Sequence, residues 1–121
     1  MKTINLKEKL TKFSNHWHPH QIATVNDMQV LLAKVKNDFV WHQHDEEDEL
    51  FQVLKGTLYM RFEDHTEVVK EGEIIVVPKG VQHSPQTKDG EEVHILLFEK
   101  IATRHTGNTK SSLTVEDYPK I

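Results

Sequence analysis

From Met28 onward the apolar residues come in short runs: MQVLLAKVK, DFVWHQH, ELFQVL, TLYMRF, TEVVK, EIIVVP and EVHILLFE. Valine, leucine, isoleucine and aromatics fill them, the residues that suit a pleated, half-buried surface. Between the runs sit Asn37-Asp38, the acidic stretch from Asp45 to Glu49, Lys55-Gly56, Glu63-Asp64, Glu71-Gly72, Pro78-Lys79-Gly80 and Lys88-Asp89-Gly90. Glycine supplies positive φ, and Asp or Asn bonds its own backbone, so each reads as a turn. Seven or eight strands at this spacing predict an all-β sandwich or barrel.

The two ends read differently. Leu6, Leu10 and Phe13 fall on one helical face, and Asn5 with Glu8 resembles a capping pair, which predicts a short helix or an arm that packs on a neighbour. Residues 14–27 read as irregular, punctuated by Pro19 and an Asn26-Asp27 turn. Residues 101–121 are polar and turn-rich, a tail suited to covering a barrel end. The expected organisation is an N-terminal arm at 1–27, a barrel at 28–100 and a C-terminal tail at 101–121.

A chain of 121 residues points to one domain with a real core. Fifteen basic against nineteen acidic residues, a formal charge of −4, argue against nucleic acid as a partner. Cysteine is absent, which removes disulfides and thiolate metal sites. No apolar run approaches the ~18 residues of a membrane span. The opening MKTINLKEKLTKF lacks the apolar centre of a signal peptide. A cytoplasmic protein without a membrane partner is expected.

The chemistry concentrates at HQHDEEDELF, residues 42–51. Alternate side chains of a strand share a face, so His42 and His44 point the same way, about 7 Å apart along the strand. Two imidazoles so placed can converge on one cation. Glu49 opens the next apolar run, where a hairpin would return it beside the histidines and complete a two-His, one-carboxylate set. In GEIIVVPKGVQH, residues 72–83, Pro78 and Gly80 reverse the chain and His83 lies on the returning strand, from where it can meet the other three across the barrel. Against this, an HxH pair can equally be the polar outer face of a strand, and acidic runs are usually solvated.

These spacings resemble the cupin superfamily, small β-barrels of jelly-roll type. Its first motif, an HxH pair followed by a glutamate and then a glycine, is matched by His42-Gln-His44, Glu49 and Gly56. Its second, a glycine, a PxG turn and a histidine, is matched by Gly72, Pro78-Lys-Gly80 and His83. The pattern's leading glycine would fall on Lys36 and its closing asparagine on Thr87. The resemblance implies that His42, His44, Glu49 and His83 are the four ligands of a divalent transition metal, whether iron, manganese, nickel, zinc or copper. Asp48 is the alternative carboxylate, because the pattern allows either gap before the acid; the remaining acidic residues form an exposed turn.

Small cupins of this appearance are described as similar to mannose-6-phosphate isomerase. With only Arg61 and Arg104 the chain has no phosphate-binding arginine cluster, so the likeness is to the domain. The resemblance implies a metal-dependent enzyme acting on a small molecule, an oxygenase, isomerase or lyase, or alternatively a non-catalytic ligand-binding or sensing module, and a homodimer. Catalytic candidates beside the metal are His94, an acid or base near neutral pH, and Tyr59, the only phenol donor in the barrel. Gln52 and Arg61 are candidates for a polar pocket, and Trp41, between Val40 and His42, should face away from the ligands. His16, His18 and His20 read as surface histidines.

Overall fold

A computed structural model describes all 121 residues. One short helix, α1 (Leu6–Leu10), precedes eight strands: β1 (His20–Val25), β2 (Met28–Val35), β3 (Glu49–Lys55), β4 (Thr57–Phe62), β5 (Thr66–Lys70), β6 (Ile74–Val77), β7 (His83–Gln86) and β8 (Val93–Lys100). They form two antiparallel sheets, ordered β1-β2-β8-β3-β6 and β5-β4-β7, which close on each other as a jelly-roll barrel. No helix is long and apolar enough to cross a membrane.

Period-two alternation places the core. On β8, Val93, Ile95, Leu97 and Glu99 are buried while the residues between them are only partly covered. On β3 the inward set is Glu49, Phe51 and Val53, and on β4 it is Leu58 and Met60. Gly56, at φ 86°, makes the tight β3–β4 connection in a conformation that favours glycine. The register pairs Glu49 with Val77, so the first residue of β3 lies beside the end of β6 and the Pro78-Lys79-Gly80 turn.

Two expectations change. Residues 14–27 are not irregular throughout: β1 pairs along β2 through a register shift near Gln21, which interrupts the alternation a reader of sequence relies on. Conversely, residues 38–44 are not a continuous strand. They touch β7 at two separated bridges, Asp38 with Gln86 and His42 with His83. Pro85 offers no N–H there, but its carbonyl accepts from Phe39 N–H at 3.0 Å. The expected N-terminal helix is present as α1, and behind it the Phe13 ring stacks on His20 at 4.0 Å while its carbonyl accepts from Lys34 Nζ at 2.7 Å. The capping pair is formed as expected, with Glu8 N–H donating to Asn5 Oδ1 at 3.0 Å.

The tail crosses one barrel end and is tied to several elements. Gln21 N–H donates to the Pro119 carbonyl at 2.8 Å, Ile121 N–H returns to the Gln21 carbonyl at 3.0 Å, and Asn108 Nδ2 donates to Asp45 at 2.7 Å.

Candidate metal centre

His42 and His83 face each other across an antiparallel bridge. Each backbone N–H donates to the other's carbonyl, at 3.0 and 2.9 Å, and the rings stand 4.3 Å apart. His83 therefore reaches the site as a direct neighbour of His42, not from across the barrel. The His44 ring lies edge-on to His42 at 5.1 Å, and the Gly80 N–H donates to the His44 carbonyl at 2.7 Å, locking the PKG turn to the HxH segment. Glu49 comes from the other sheet, its Oε1 3.4 Å from His44 Nε2 and 3.6 Å from His83 Nε2. One ligand atom from each of the four residues lies within 4.8 Å of all the others. All four are buried, His83 completely.

The imidazoles are aimed by the backbone. His42 Nδ1 and His83 Nδ1 are each 2.9 Å from the carbonyl two residues back, of Val40 and Val81. A carbonyl can only accept, so each Nδ1 carries the proton and each Nε2 keeps its lone pair for the interior. Partners of this kind usually orient metal-binding histidines. His44 Nε2, His83 Nε2 and Glu49 Oε1 have no hydrogen-bond partner, and neither does His44 Nδ1. Buried polar atoms left so cost about 1–3 kcal/mol each. Three of them converging on one point are an arrangement that a cation satisfies and the protein alone does not.

Burial, then the His83 ring beside it, pushes His42 down to about 4. Its imidazole is thus neutral, the form that ligates metals. Glu49 is driven upward by burial, but the facing rings of His44 and His83 outweigh that and hold its carboxyl below the ordinary range. Glu99 lies against it and goes the opposite way, raised first by burial and then by the Glu49 charge. Of the two adjoining carboxyls, Glu99 holds the proton.

A cavity of about 30 Å³ opens beside His42 and Glu49. Its walls include Phe39, Phe51, Ile95 and Leu97, with Glu99 and two tail residues, His105 and Tyr118. Trp17 closes one side, in the left-handed region at φ 55°, with Nε1 donating to the Lys36 carbonyl at 2.8 Å.

Several candidates lie elsewhere. His94 occupies the other face of β8, 2.9 Å from Glu92, which also meets His16 at 2.7 Å. Tyr59 alternates with the inward Leu58 and Met60 and lies under Lys88 Nζ, 4.2 Å from its ring. Gln52 alternates with the inward Phe51 and Val53. Arg61 donates to Ser84 Oγ at 2.6 Å and stacks over Trp41, which faces outward as expected. Asp48 accepts from Lys79 N–H at 2.9 Å and is exposed, so Glu49 alone of the acidic run enters the site. His16 is exposed, but His20 is buried under Phe13 and not a surface histidine. Glu99, His105 and Tyr118 were not singled out by the sequence. VHILLFE is apolar on both faces, so its parity gave no signal; in the structure Glu99 shares the buried face with Val93, Ile95 and Leu97.

The comparisons agree with this fold. The sequence profile of the cupin domain family matches residues 28–99. The uncharacterized protein YdbB of Bacillus subtilis (strain 168) is 40% identical over 79 residues, 64% of each chain, so the match spans just under two thirds of that relative. The crystal structure of a cupin-2 domain containing protein from Shewanella frigidimarina NCIMB 400 superposes with a TM-score of 0.78 at 43% identity, covering 80% of this chain and 93% of that one. Protein NMB1881 from Neisseria meningitidis superposes at 0.73 with 32% identity, covering 82% and 99%. With its two-sheet jelly roll, its buried three-histidine, one-glutamate cluster and a profile match over more than half its length, this chain belongs to the cupin family.

Proposed function

We propose that His42, His44, Glu49 and His83 hold one divalent transition-metal ion, and that the protein is a metal-dependent enzyme acting on a small molecule in the adjoining cavity. The observation that carries this is the convergence of His44 Nε2, His83 Nε2 and Glu49 Oε1, buried and without partners. The donor set suits iron, manganese, nickel, copper or zinc. When bound, such an ion supplies Lewis acidity and a template for a chelating substrate. The chain's own contribution is to present neutral imidazoles, keep the carboxylate ionised and surround the reacting atoms with the apolar side chains of Phe39, Phe51, Ile95 and Leu97.

The small free volume under the tail favours a second reading, a module that retains a ligand without turning it over. Metal-loaded protein is screened for oxygen consumption and for conversion of candidate diketones, flavonols and sugar phosphates. Turnover that disappears in His42→Ala supports the enzyme. Tight retention of a ligand without turnover supports the binding module.

A homodimer is part of the same proposal. Ile74 and Val76, 58% and 50% exposed on the edge strand β6, offer an apolar face for a second copy. A dimer in sedimentation that Ile74→Lys dissociates supports it, and a monomeric parent protein contradicts it.

A further inference from the structure

The tail brings two side chains to the cavity that the barrel does not supply. His105 and Tyr118 both line it, beside the metal-facing residues His42 and Glu49. Both lie outside residues 28–99, the span of the family profile. His105 is oriented by its own segment: Val115 N–H donates to His105 Nδ1 at 2.9 Å. A neutral imidazole that accepts at Nδ1 carries its proton on Nε2. The ring packs against Phe39 at 5.0 Å and meets the Tyr118 ring edge-on at 5.9 Å. Burial pushes His105 down to about 4, which keeps this donor form at neutral pH.

The other polar groups on the wall belong to the barrel. Glu49 faces His44 and His83, and Glu99 accepts from Gln29 Nε2 at 3.4 Å. No lysine or arginine lines the cavity. The remainder of the wall is apolar. A ligand that fits has an acceptor oxygen for two neutral donors, no more than a methyl-sized hydrocarbon part, and no phosphate-sized charge needing a guanidinium or ammonium partner.

We propose that His105 Nε2–H and Tyr118 O–H are ligand-binding donors, and that the cavity takes a small monocarboxylate, one oxygen directed to the metal side at His42 and Glu49 and the other to the tail. This inference rests on the metal-site reading above. The free cavity of about 30 Å³ has room for one or two waters, which restricts the ligand to a few heavy atoms.

Trp17 reports on the site directly, since it lines the cavity and stacks on Phe39 at 4.6 Å. The chain has two tryptophans, so Trp41→Phe leaves Trp17 as the sole emitter. Zinc-loaded Trp41→Phe protein is titrated with formate and acetate, and with acetamide, while zinc content and the unfolding midpoint are measured for every variant. The expected result is a saturable change in emission with at least one carboxylate and at least tenfold weaker binding of acetamide. Adding Tyr118→Phe or His105→Phe weakens the carboxylate at least tenfold with one zinc per chain retained, and His105→Gln, which keeps a donor near Nε2, restores much of it. One zinc per chain with no response to any carboxylate, or with Tyr118→Phe binding within twofold of the parent, overturns this inference alone. A parent protein that takes up no zinc overturns the metal-site reading and this inference with it.

Discussion

Gly107 lies against the backbone of Gln43 so closely that a β-carbon on it would come within 1.9 Å of the Gln43 carbonyl oxygen. Gln43 sits between His42 and His44, so the tail is seated directly on the ligand-bearing segment. At φ 56° Gly107 also adopts a conformation that side chains disfavour. Both facts point to Gly107→Ala as a substitution that separates tail from barrel. A loss of about 2 kcal/mol or more is expected from denaturant unfolding, together with easier acrylamide quenching of Trp17 in a Trp41→Phe background. An unchanged midpoint and unchanged quenching would show that the tail does not depend on this contact.

The unpartnered atoms of the site predict a strong response to metal. An ion at one hundred times its dissociation constant adds about 2.7 kcal/mol to stability, which for a chain of this size raises the melting temperature by roughly 10 °C. Thermal unfolding with and without added zinc should show that rise in the parent protein and little of it in His83→Ala. An equal rise in both would place the ion elsewhere.

The two adjoining carboxyls should behave in opposite ways. Glu49 is ionised and faces His44 and His83, so Glu49→Gln removes the only anionic ligand, and competition with a chelating dye should show metal affinity falling at least a hundredfold. Glu99 carries the proton, so the neutral, isosteric Glu99→Gln should shift stability by less than about 1 kcal/mol and leave metal affinity within threefold. The reverse pattern would exchange the roles of the two residues.

Acid should destabilise the metal-free protein in a defined window. An unfolded histidine takes its proton near pH 6.5, but folded His42 does so only near 4, because burial and the His83 ring disfavour the cation. Between these values the unfolded chain binds more protons, so stability is full above pH 6.5 and falls as the pH drops toward 4, by roughly 3 kcal/mol from His42 alone. Urea midpoints measured from pH 7.5 to 4 check this, and a flat profile contradicts it. Bound metal should steepen the loss, since protons then also displace the ion.

The barrel and the four clustered residues were legible in the sequence because both depend on short-range patterns. Strand alternation and turn residues are written locally, and HxH followed by Glu49, with a PxG turn before His83, fixes the donors relative to their own turns. What was not legible depends on register between distant segments. His94 and Glu99 lie five positions apart on one strand that is apolar on both faces, and only the pairing of β8 with β2 and β3 decides that Glu99 enters and His94 does not. The bulge in β1 hid a strand for the same reason. His105 and Tyr118 were beyond reach because they sit in a turn-rich tail whose path is set by contacts such as Gly107 on Gln43, with no periodicity to announce them.

The most direct test of the metal site is elemental analysis of protein purified without a histidine tag, beside the His42→Ala, His83→Ala double variant. About one equivalent of a divalent transition metal per chain is predicted for the parent after loading and dialysis, with almost none in a double variant that remains folded. Equal metal in both proteins, or none in either, would contradict the assignment.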